Sequence, residues 1–446
     1  MLTKNMNFPA HFVWGAATSA FQIEGAAFDD GRAPSIWDTF CRTEGAIQDA
    51  SNGDVACDHY HRLEEDLDLM KSLGLQAYRF SMSWSRVRPD GHTAWNEKGL
   101  DFYDRLIDGL LSRGIAPYMT LYHWDLPQAL QDKGGWASRD TVQHFVEYAV
   151  AMAERYADRV ASIATFNEPW IVATLGHELG IFAPGVKDRR VAAQVSHHLL
   201  LAHGQAVRAM RAAGATLPLG IVLNQGPVFP ASDSDGDRAK ALHDDGHLIR
   251  WYMDPLFRGS YPADIIAHLG ADAPQVQPGD MEVIATPIDF LGLNYYTRSI
   301  VGVEPREHGP EVEVTDMGWE VYPTGLTELL VRLQADYSPP PIYITENGAA
   351  YPDGPDADGH VHDTRRSEYL RRHIGAVLDA IDAGVDVRGY FVWSLFDNFE
   401  WAFGYSKRFG IVWVDYDTQQ RIPKDSAFWY RDFVAGQMAR QAANTP

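Results

Sequence analysis

The stretch ATFNEPW, residues 164–170, ends an apolar run that begins near Val160. A continuous apolar or β-branched run of this kind is typical of a strand buried on both faces. The run stops at an Asn-Glu pair, and a proline follows, which interrupts the hydrogen bonding of a strand. A second stretch, IYITENG at 342–348, has the same form. Each stretch therefore places a glutamate, Glu168 or Glu346, where a buried strand ends.

Similar strand-like runs recur along the chain and alternate with helix-like segments. Eight strands alternating with helices favour an α/β fold, a closed (β/α)8 TIM barrel, over an open sheet. We expect a single domain over residues 1–446 with insertions in the βα loops. A doubly wound sheet is the alternative, but no glycine-rich phosphate loop supports it. The predicted strands cover residues 12–18, 77–84, 116–124, 162–168, 217–224, 289–296, 342–346 and 387–395.

Apolar periodicity predicts the helices between these strands. Apolar residues from Ala56 to Met70 recur at intervals of 4, 3, 4 and 3, and Gly74 stands where a C-cap is expected. The residues from Leu370 to Ile381 repeat in the same way. Further helices are predicted near 97–113, 138–158, 188–213, 238–257, 324–336 and 424–439, and loops near 227–237, 270–280, 304–318 and 351–362.

Composition narrows the class of protein. Hydrophobic residues make up 46% of the chain, enough for a large core, and the net charge of −22 argues against nucleic acid and anionic membrane as partners. Cys41 and Cys57 are expected to be free thiols in a reducing compartment. No apolar run resembles a signal peptide or approaches the length of a membrane span, so a cytoplasmic location is expected. These properties fit an uncharged small-molecule ligand, and they leave the oligomeric state open.

Polar and aromatic residues stand at the carboxyl ends of seven of the eight predicted strands, and the fifth strand adds only Asn224. In a TIM barrel these ends meet at one face and carry the active site. A single polar residue at a strand end is usually a structural residue whose hydrogen bonds are satisfied. So many at one face of the barrel are hard to explain by stability alone. The residues are Gln22, Arg79, His123, Trp124, Asn167, Glu168, Asn294, Tyr296, Glu346 and Trp393.

The two glutamates indicate a reaction. Glu168 ends the fourth predicted strand and Glu346 the seventh, so they are expected to face each other across the barrel mouth. Two opposed carboxylates are what hydrolysis of a glycosidic bond requires: one protonates the leaving oxygen, and the other attacks the anomeric carbon or activates water. A separation of about 5–5.5 Å would mean retention, and about 6.5–9.5 Å inversion of configuration.

Four motifs, in order along nearly the whole chain, resemble glycoside hydrolase family 1, the β-glucosidase type. They are FVWGAATSAFQIEGA at 12–26, TFNEP at 165–169, ITENG at 344–348 and WSLFDNFEWAFGYSKRFG at 393–410. The resemblance implies a (β/α)8 barrel, no cofactor and retention of β configuration. It further implies that Glu168 is the general acid/base and Glu346 the nucleophile.

The surroundings of the two glutamates are expected to support these roles. Arg79 would keep Glu346 ionised and Tyr296 would donate a hydrogen bond to it, whereas Glu168 would lack a cation and have a raised pKa. Asn167 would bind the sugar 2-hydroxyl. Asn294 is placed in the same catalytic group.

The resemblance also implies a sugar pocket. Its hydroxyl-binding residues would be Gln22, His123, Trp124, Asn167 and Glu400, with Trp393 beneath the ring, Trp401 on the far side and Phe409 closing the pocket. A buried Glu400 would disfavour a phosphorylated sugar. Trp170 and Trp319 would line the leaving-group entrance. His177 and Phe182 depart from the residues common in the family, which leaves the leaving-group preference open.

Other interpretations carry less weight. The histidine pairs at 59 and 61, 197 and 198, and 243 and 247 have no partner at metal-binding spacing, so we expect no metal. The segment 351–360 is expected to be a flexible gate loop, with an adventitious cation as the alternative. A thioglucosidase would carry Gln in place of Glu168, and a decayed sugar-binding barrel would lack the glutamate pair. Preference for β-fucosides or β-galactosides, and transfer of the sugar to alcohols, stay open.

Overall fold

The barrel expected from the sequence is present in the computed structural model, which describes residues 6–304, 309 and 311–443. Eight parallel strands form a closed ring in which each strand pairs with its neighbours in chain order and the last pairs with the first. All eight overlap the predicted ranges. They are β1 Val13–Ala17, β2 Ala77–Ser81, β3 Ala116–Tyr122, β4 Ser162–Asn167, β5 Leu219–Asn224, β6 Phe290–Asn294, β7 Ile342–Asn347 and β8 Val387–Trp393.

Some strands end before their apolar runs do, and the backbone gives the reason. Trp124 follows β3 with a φ of 76°, and Glu168 follows β4 with a φ of 50°. A residue in this left-handed region cannot continue an extended strand. The chain therefore turns at the barrel mouth, and the residues of these turns lie at its rim.

The first long helix begins later than its apolar periodicity predicts. It covers Leu63–Ser72, because Ala56 and Asp58 have φ values of 48° and 50°, which a right-handed helix excludes. Gly74 has a φ of 66° just beyond the end of this helix, as expected. The other α-helices are Ala20–Ile23, Ile36–Phe40, Trp84–Val87, Glu97–Ser112, Gln128–Gln131, Asp140–Tyr156, Arg189–Ala212, Asp235–Asp245, Trp251–Arg258, Ala263–Leu269, Asp280–Ile284, Pro323–Tyr337, Thr364–Asp382 and Asp425–Ala443; Ile171–Glu178 and Gly246–Arg250 are π-helical, and Gly135–Ala137, Gly270–Asp272 and Trp401–Phe403 are 3₁₀-helical.

The βα insertions contain two small sheets that the sequence did not predict, because strands of three residues have too few positions to show a period. They pair Val228–Pro230 with Ser299–Val301 and Val412–Val414 with Arg421–Pro423. Of the loop predicted at 304–318, residues 305–308 and 310 lie outside the described residues.

An aromatic layer fills the barrel interior. The ring of Phe391 on β8 occupies the space where a Cβ on Gly15 would lie, 2.6 Å away, so β1 requires glycine there. Tyr118 packs edge-on against Phe391, with ring centroids 5.0 Å apart. Tyr343 contacts Tyr118 at 6.1 Å and Phe290 at 5.8 Å. This layer makes the interior a packed core rather than a pore.

Both cysteines are free, and Cys57 is buried. Burial raises the pKa of the Cys41 thiol to about 12, and raises that of Cys57 further. Neither thiol is therefore activated as a nucleophile. None of the helices in the described residues has both the length and the apolar character needed to cross a membrane.

Candidate active site

The polar residues expected at the barrel mouth lie together there and are buried. Asn167 ends β4, Asn294 ends β6, and Arg79 lies in β2. Glu168 follows β4, and Glu346 is the residue before the end of β7. The two glutamates are only 4% and 3% exposed, which is rare for carboxylates unless they are paired or functional.

Glu346 has one cationic and one neutral hydrogen-bond donor. Arg79 Nη1 donates to its Oε1 over 2.7 Å, and Tyr296 Oη donates to its Oε2 over 2.7 Å. Arg79 and Glu346 form a buried ion pair. Both contacts expected from the sequence are present, and both favour the ionised form of Glu346.

Glu168 has no such cation. Asn294 Nδ2 donates to its Oε1 over 2.5 Å. The orientation of this amide is settled because Asn294 Oδ1 accepts a hydrogen bond from the Thr345 hydroxyl over 2.6 Å. Among the described residues, no lysine or arginine forms an ion pair with Glu168. One amide hydrogen bond is therefore all that compensates a buried charge at this position.

Asn167 connects the two sides of the site. Its Oδ1 accepts from Arg79 Nη2 over 2.7 Å and from Asn294 Nδ2 over 3.0 Å, so its Nδ2 must be the donor. That nitrogen donates to His123 Nε2 over 3.0 Å. His123 consequently carries its proton on Nδ1, and this buried atom has no hydrogen-bond partner among the described residues. Burial and the charge of Arg79 hold the pKa of His123 well below its usual value.

The pKa values of the two glutamates are raised unequally. Burial, followed by the negative charge of Glu346, raises the pKa of Glu168 well above its usual value. Burial also raises the pKa of Glu346, because it outweighs Arg79 and Tyr296, which act in the opposite direction. Arg79 and Tyr296 favour the ionised form of Glu346 as expected, and burial opposes them. With a cation on one side only, the first proton taken up by the pair belongs on Glu168.

Gln22, just after β1, bonds to the segment 393–410, which is called the tail below. It lies on the short helix after β1 rather than at the strand end. Its Oε1 accepts from the Ser19 hydroxyl over 2.6 Å, and its Nε2 donates to Asn398 Oδ1 and to the carbonyl of Phe399, both over 2.9 Å. Glu400 Oε2 is farther away, at 3.4 Å. The contact between Gln22 and Glu400, both predicted to bind sugar hydroxyls, is therefore accompanied by two shorter bonds from Gln22 to the tail.

Glu400 is a third buried carboxyl. Burial, followed by the charge of Glu346, raises its pKa to about 8. At pH 7 this group is therefore mostly neutral, and the repulsion expected against a phosphorylated sugar is weaker than two full charges would give. The cations of the tail are engaged elsewhere, since Lys407 pairs with Asp316 and Arg408 with Asp397. With these cations occupied, the tail still disfavours an anionic sugar.

The tryptophans of the predicted sugar pocket pack against His123. Its ring lies 5.9 Å from both Trp393 and Trp401, nearly parallel to each. Trp124 packs on Trp401 at 4.5 Å. The indole N–H of Trp124 donates to the carbonyl of Asn167 over 2.9 Å. An indole has a single donor and this bond occupies it, so binding of a sugar hydroxyl by Trp124 stays a prediction.

Two of the remaining predicted residues, Trp319 and Phe409, pack with Tyr296. Trp319 lies 5.3 Å from Tyr296, and Phe409 lies 6.1 Å from both rings. Phe409 is buried, whereas Trp319 is half-buried. The rings of Tyr296, Phe409 and Trp319 therefore form one aromatic cluster that starts at the hydrogen-bond donor of Glu346 and reaches the surface at Trp319.

Trp170, predicted to line the leaving-group entrance, lies beside three histidines. It lines a cavity of about 390 Å³ together with His243, His247 and His268. Its indole nitrogen donates to His247 Nδ1 over 3.3 Å. Of the two departures from the family pattern, Phe182 packs on Trp37 and Trp124, and the ring of His177 bonds to the carbonyl of Val172. His177 is thus a packed residue inside the π-helix rather than a leaving-group contact.

A buried charge network, not predicted from the sequence, anchors the tail. Lys424 Nζ donates to Asp353 and to Asp397, each over 2.8 Å. Asp397 also accepts from Arg408 over 2.8 Å and from the backbone N–H of Gly410 over 2.9 Å. Lys424 is fully buried. Its signal in the sequence is weak, because a lysine in a helix-flanking segment normally lies in solvent.

Replacing Lys424 by Met is expected to lower the free energy of unfolding by about 3–5 kcal/mol, because two buried aspartates each lose a partner. Urea unfolding and the thermal midpoint measure the change. The matched control is Lys98→Met, since Lys98 pairs with Asp30 at the surface with its side chain 70% exposed. A Lys424→Met protein as stable as the control would contradict the anchoring role.

A closed TIM barrel whose mouth holds two buried glutamates, one placed to hold a proton and the other to be ionised, defines a glycoside hydrolase. A profile of one such family, glycosyl hydrolase family 1, matches residues 4–438. The chain belongs to this family, and the resemblance drawn from its motifs is confirmed.

Relatives support the same assignment over nearly the whole chain. The chain is 47% identical to β-glucosidase A of Thermotoga maritima, covering 96% of this chain and 97% of the relative. It is 45% identical to a bifunctional β-D-glucosidase/β-D-fucosidase of Bifidobacterium breve, covering 98% and 100%. The solved structure of the Thermotoga maritima β-glucosidase in complex with glucoimidazole superimposes with a TM-score of 0.94 at 46% identity, covering 97% of this chain and 99% of that one.

Proposed function

We propose that the enzyme is a retaining exo-β-glucosidase. It removes terminal non-reducing β-D-glucosyl residues from oligosaccharides and from aryl or alkyl β-glucosides. The observation that carries the proposal is the unequal surroundings of two buried glutamates: Glu346 forms an ion pair with Arg79, and no lysine or arginine of the described residues forms one with Glu168. The glucosidase names of the relatives support the choice of glucose.

In the first step Glu346 attacks the anomeric carbon and Glu168 gives its proton to the leaving oxygen. The raised pKa of Glu168 keeps this proton available at neutral pH. The hydrogen bonds from Arg79 and Tyr296 hold the Glu346 carboxylate in one orientation for attack. The bond from sugar to leaving group breaks, and an ester between Glu346 and the sugar forms on the opposite face.

In the second step water cleaves this ester. Esterification removes the negative charge of Glu346, which is the second cause of the raised pKa of Glu168. The pKa of Glu168 therefore falls, and the carboxylate left by the first step becomes the base that takes a proton from water. Two inversions at the anomeric carbon give net retention.

The sugar would be held by groups that have bonding capacity left. His123 Nδ1–H is a buried donor without a partner, and Asn167 Nδ2 has a second hydrogen beyond the one given to His123. Asn167 touches both Arg79 and Asn294, so its amide is well placed for the 2-hydroxyl near the reacting carbon. Glu400, neutral or ionised, can accept from hydroxyls at the other end. Trp393 supplies an apolar face for the ring.

A panel of nitrophenyl β-glycosides, run together with cellobiose, tests the substrate class. We expect the highest kcat/KM among the panel for the β-glucoside and measurable hydrolysis of cellobiose. A β-fucoside preference is the second candidate, favoured by the bifunctional relative from Bifidobacterium breve. Activity on none of the panel, or activity only on a nitrophenyl α-glucoside assayed beside it, would contradict the proposal.

The roles of the two glutamates predict a bell-shaped pH dependence of kcat/KM. Activity rises with pH as Glu346 loses its proton, and it falls at higher pH as Glu168 loses the proton that its raised pKa retains. With a phenyl β-glucoside, whose leaving group needs a proton, as the substrate of both proteins, Glu168→Gln is expected to lose the alkaline limb and keep the acid limb. Glu400→Gln is the control, because the pKa of Glu400, about 8, also lies in this range. Loss of the alkaline limb in Glu400→Gln instead would contradict the assignment.

A cytoplasmic location also belongs to this proposal. Both thiols are free, which fits a reducing compartment. The net charge of −22 makes nucleic acid and anionic membrane poor partners, whereas a neutral glycoside meets no such repulsion.

A further inference from the structure

Three potential metal ligands meet on the loop after β7, outside the catalytic group. They are Asp356, His360 and His362, and one ligand atom from each lies within 4.8 Å of the other two. In the described part of the chain this is the only group of three or more such side chains at that spacing. Two imidazoles and a carboxylate are a set that first-row divalent transition ions bind.

The carboxylate is already oriented by the loop. Asp356 Oδ1 accepts from the backbone N–H groups of Asp358 and His360, both over 2.9 Å. The backbone closes the same turn, because Asp356 N–H donates to the carbonyl of His360 and Gly359 N–H to that of Asp356. Gly359 has a φ of 80°, which permits the turn. These bonds occupy Oδ1 and leave Oδ2 available.

His362 is oriented from the other side. Its Nδ1 lies 2.7 Å from Asp425 Oδ2, and its Nε2 lies 3.3 Å from Asp356 Oδ2. A carboxylate on one imidazole nitrogen fixes the tautomer and leaves the other nitrogen to bind a metal. Asp425 begins the last helix, and its backbone N–H donates to the carbonyl of Val361. The loop is thus tied to this helix at two points beside the ligands.

The spacing fits a tetrahedral ion with a small adjustment. Metal–ligand bonds of about 2.0–2.2 Å place two tetrahedral ligand atoms about 3.3–3.6 Å apart. The 3.3 Å between His362 Nε2 and Asp356 Oδ2 already matches one edge. His360 is exposed, and its ring makes no hydrogen bond to another described residue, so it can turn inward without losing one.

We propose that Asp356, His360 and His362 bind a divalent transition ion of the zinc class, with water completing the coordination. The ion fastens the loop that follows the nucleophile strand to the last helix through the contact between His362 and Asp425. The site is separate from the two glutamates, and the glycosidase reaction proposed above does not depend on it.

Calorimetric titration of chelator-treated, tag-free protein with zinc chloride tests the site. We expect one saturable site per chain, and no comparable binding of magnesium chloride, since Mg²⁺ prefers oxygen ligands. His360→Ala and His362→Ala should each weaken zinc binding by about tenfold or more. The matched control is His61→Ala, since His61 is an exposed histidine that lies near two aspartates, Asp29 and Asp58. Zinc binding that is absent, or that is undiminished in both His360→Ala and His362→Ala, would overturn the proposal.

Hydrogen exchange locates the bound ion independently of affinity. Zinc is expected to slow amide exchange in the segment 356–362 and in the first turn of the last helix. Asp425→Ala should weaken binding by about 10–100-fold, and Asp425→Asn, which can still accept from Nδ1–H, should restore part of it. Slowed exchange confined to other parts of the chain would place the ion elsewhere and would also overturn the proposal.

Discussion

Glu346→Gly is expected to abolish hydrolysis of an aryl β-glucoside, lowering kcat/KM by about 10⁵-fold or more. The substitution removes the atom that forms the covalent bond, and the other glutamate of the pair, Glu168, is already hydrogen-bonded to Asn294. It also leaves a space faced by Arg79 and Tyr296, the two donors that had bonded to Glu346. That space can take a small anion.

Azide or formate should therefore restore part of the activity of Glu346→Gly. Azide attacks from the face that Glu346 occupied, so the product should be the α-glucosyl azide, which NMR distinguishes from the β-anomer. The control is Asp280→Gly, which removes another buried carboxylate paired with an arginine, Arg139, away from both glutamates. It should change kcat/KM by less than about tenfold. Substantial activity of Glu346→Gly without an added anion would contradict the nucleophile assignment.

Glu168→Ala should affect substrates according to their leaving groups. A dinitrophenolate leaves without a proton, so kcat/KM for its glucoside should stay near that of the wild type. For cellobiose, whose leaving sugar must be protonated, kcat/KM should fall by about 10²–10⁴-fold. Both substrates need a base for the second step, so kcat should fall for both.

Azide distinguishes this role from a structural one. It needs no base to attack the ester, so it should raise kcat of Glu168→Ala on the dinitrophenyl glucoside and give the β-glucosyl azide. Replacing a merely structural carboxyl by Ala would lower kcat/KM for all substrates to a similar extent and would give no glucosyl azide. Equal losses on both substrates, without acceleration by azide, would count against Glu168 as the acid/base.

Much of the fold could be predicted from the sequence, because a strand of a parallel barrel is apolar along its whole length and is easily distinguished from an amphipathic helix. The places where strands stop were harder to predict. The run through β4 continues to Glu168, but the positive φ of that residue ends the strand one position earlier. Backbone geometry of this kind depends on what the turn packs against, and no periodicity reports it.

The site divides in the same way. Glu168, Glu346, Arg79 and Asn167 stand in motifs or at strand ends, so the sequence could place them near one another. Which of their donors are already used depends on hydrogen bonds in the folded protein, and the sequence could not predict these bonds. The indole of Trp124 is committed to the carbonyl of Asn167, for example.

Contacts between distant segments had no local signal at all. Lys424 and Asp353 are 71 residues apart in the sequence, and they form a buried salt bridge only in the folded chain. The raised pKa of Glu346 was equally hard to predict from the sequence. It results from burial, which outweighs the two hydrogen-bond donors and depends on all the residues that surround the barrel mouth.

Mass spectrometry of Glu168→Ala tests the central claim, a covalent intermediate on Glu346, most directly. This variant should form the glycosyl ester quickly from a dinitrophenyl β-glucoside and hydrolyse it slowly, so the ester accumulates. Peptide mapping of the quenched protein is expected to find one glucosyl group, carried by the peptide that contains ITENG, on Glu346. A glucosyl group on another residue, or turnover without any accumulated ester and with α-glucose as the first product, would contradict the account.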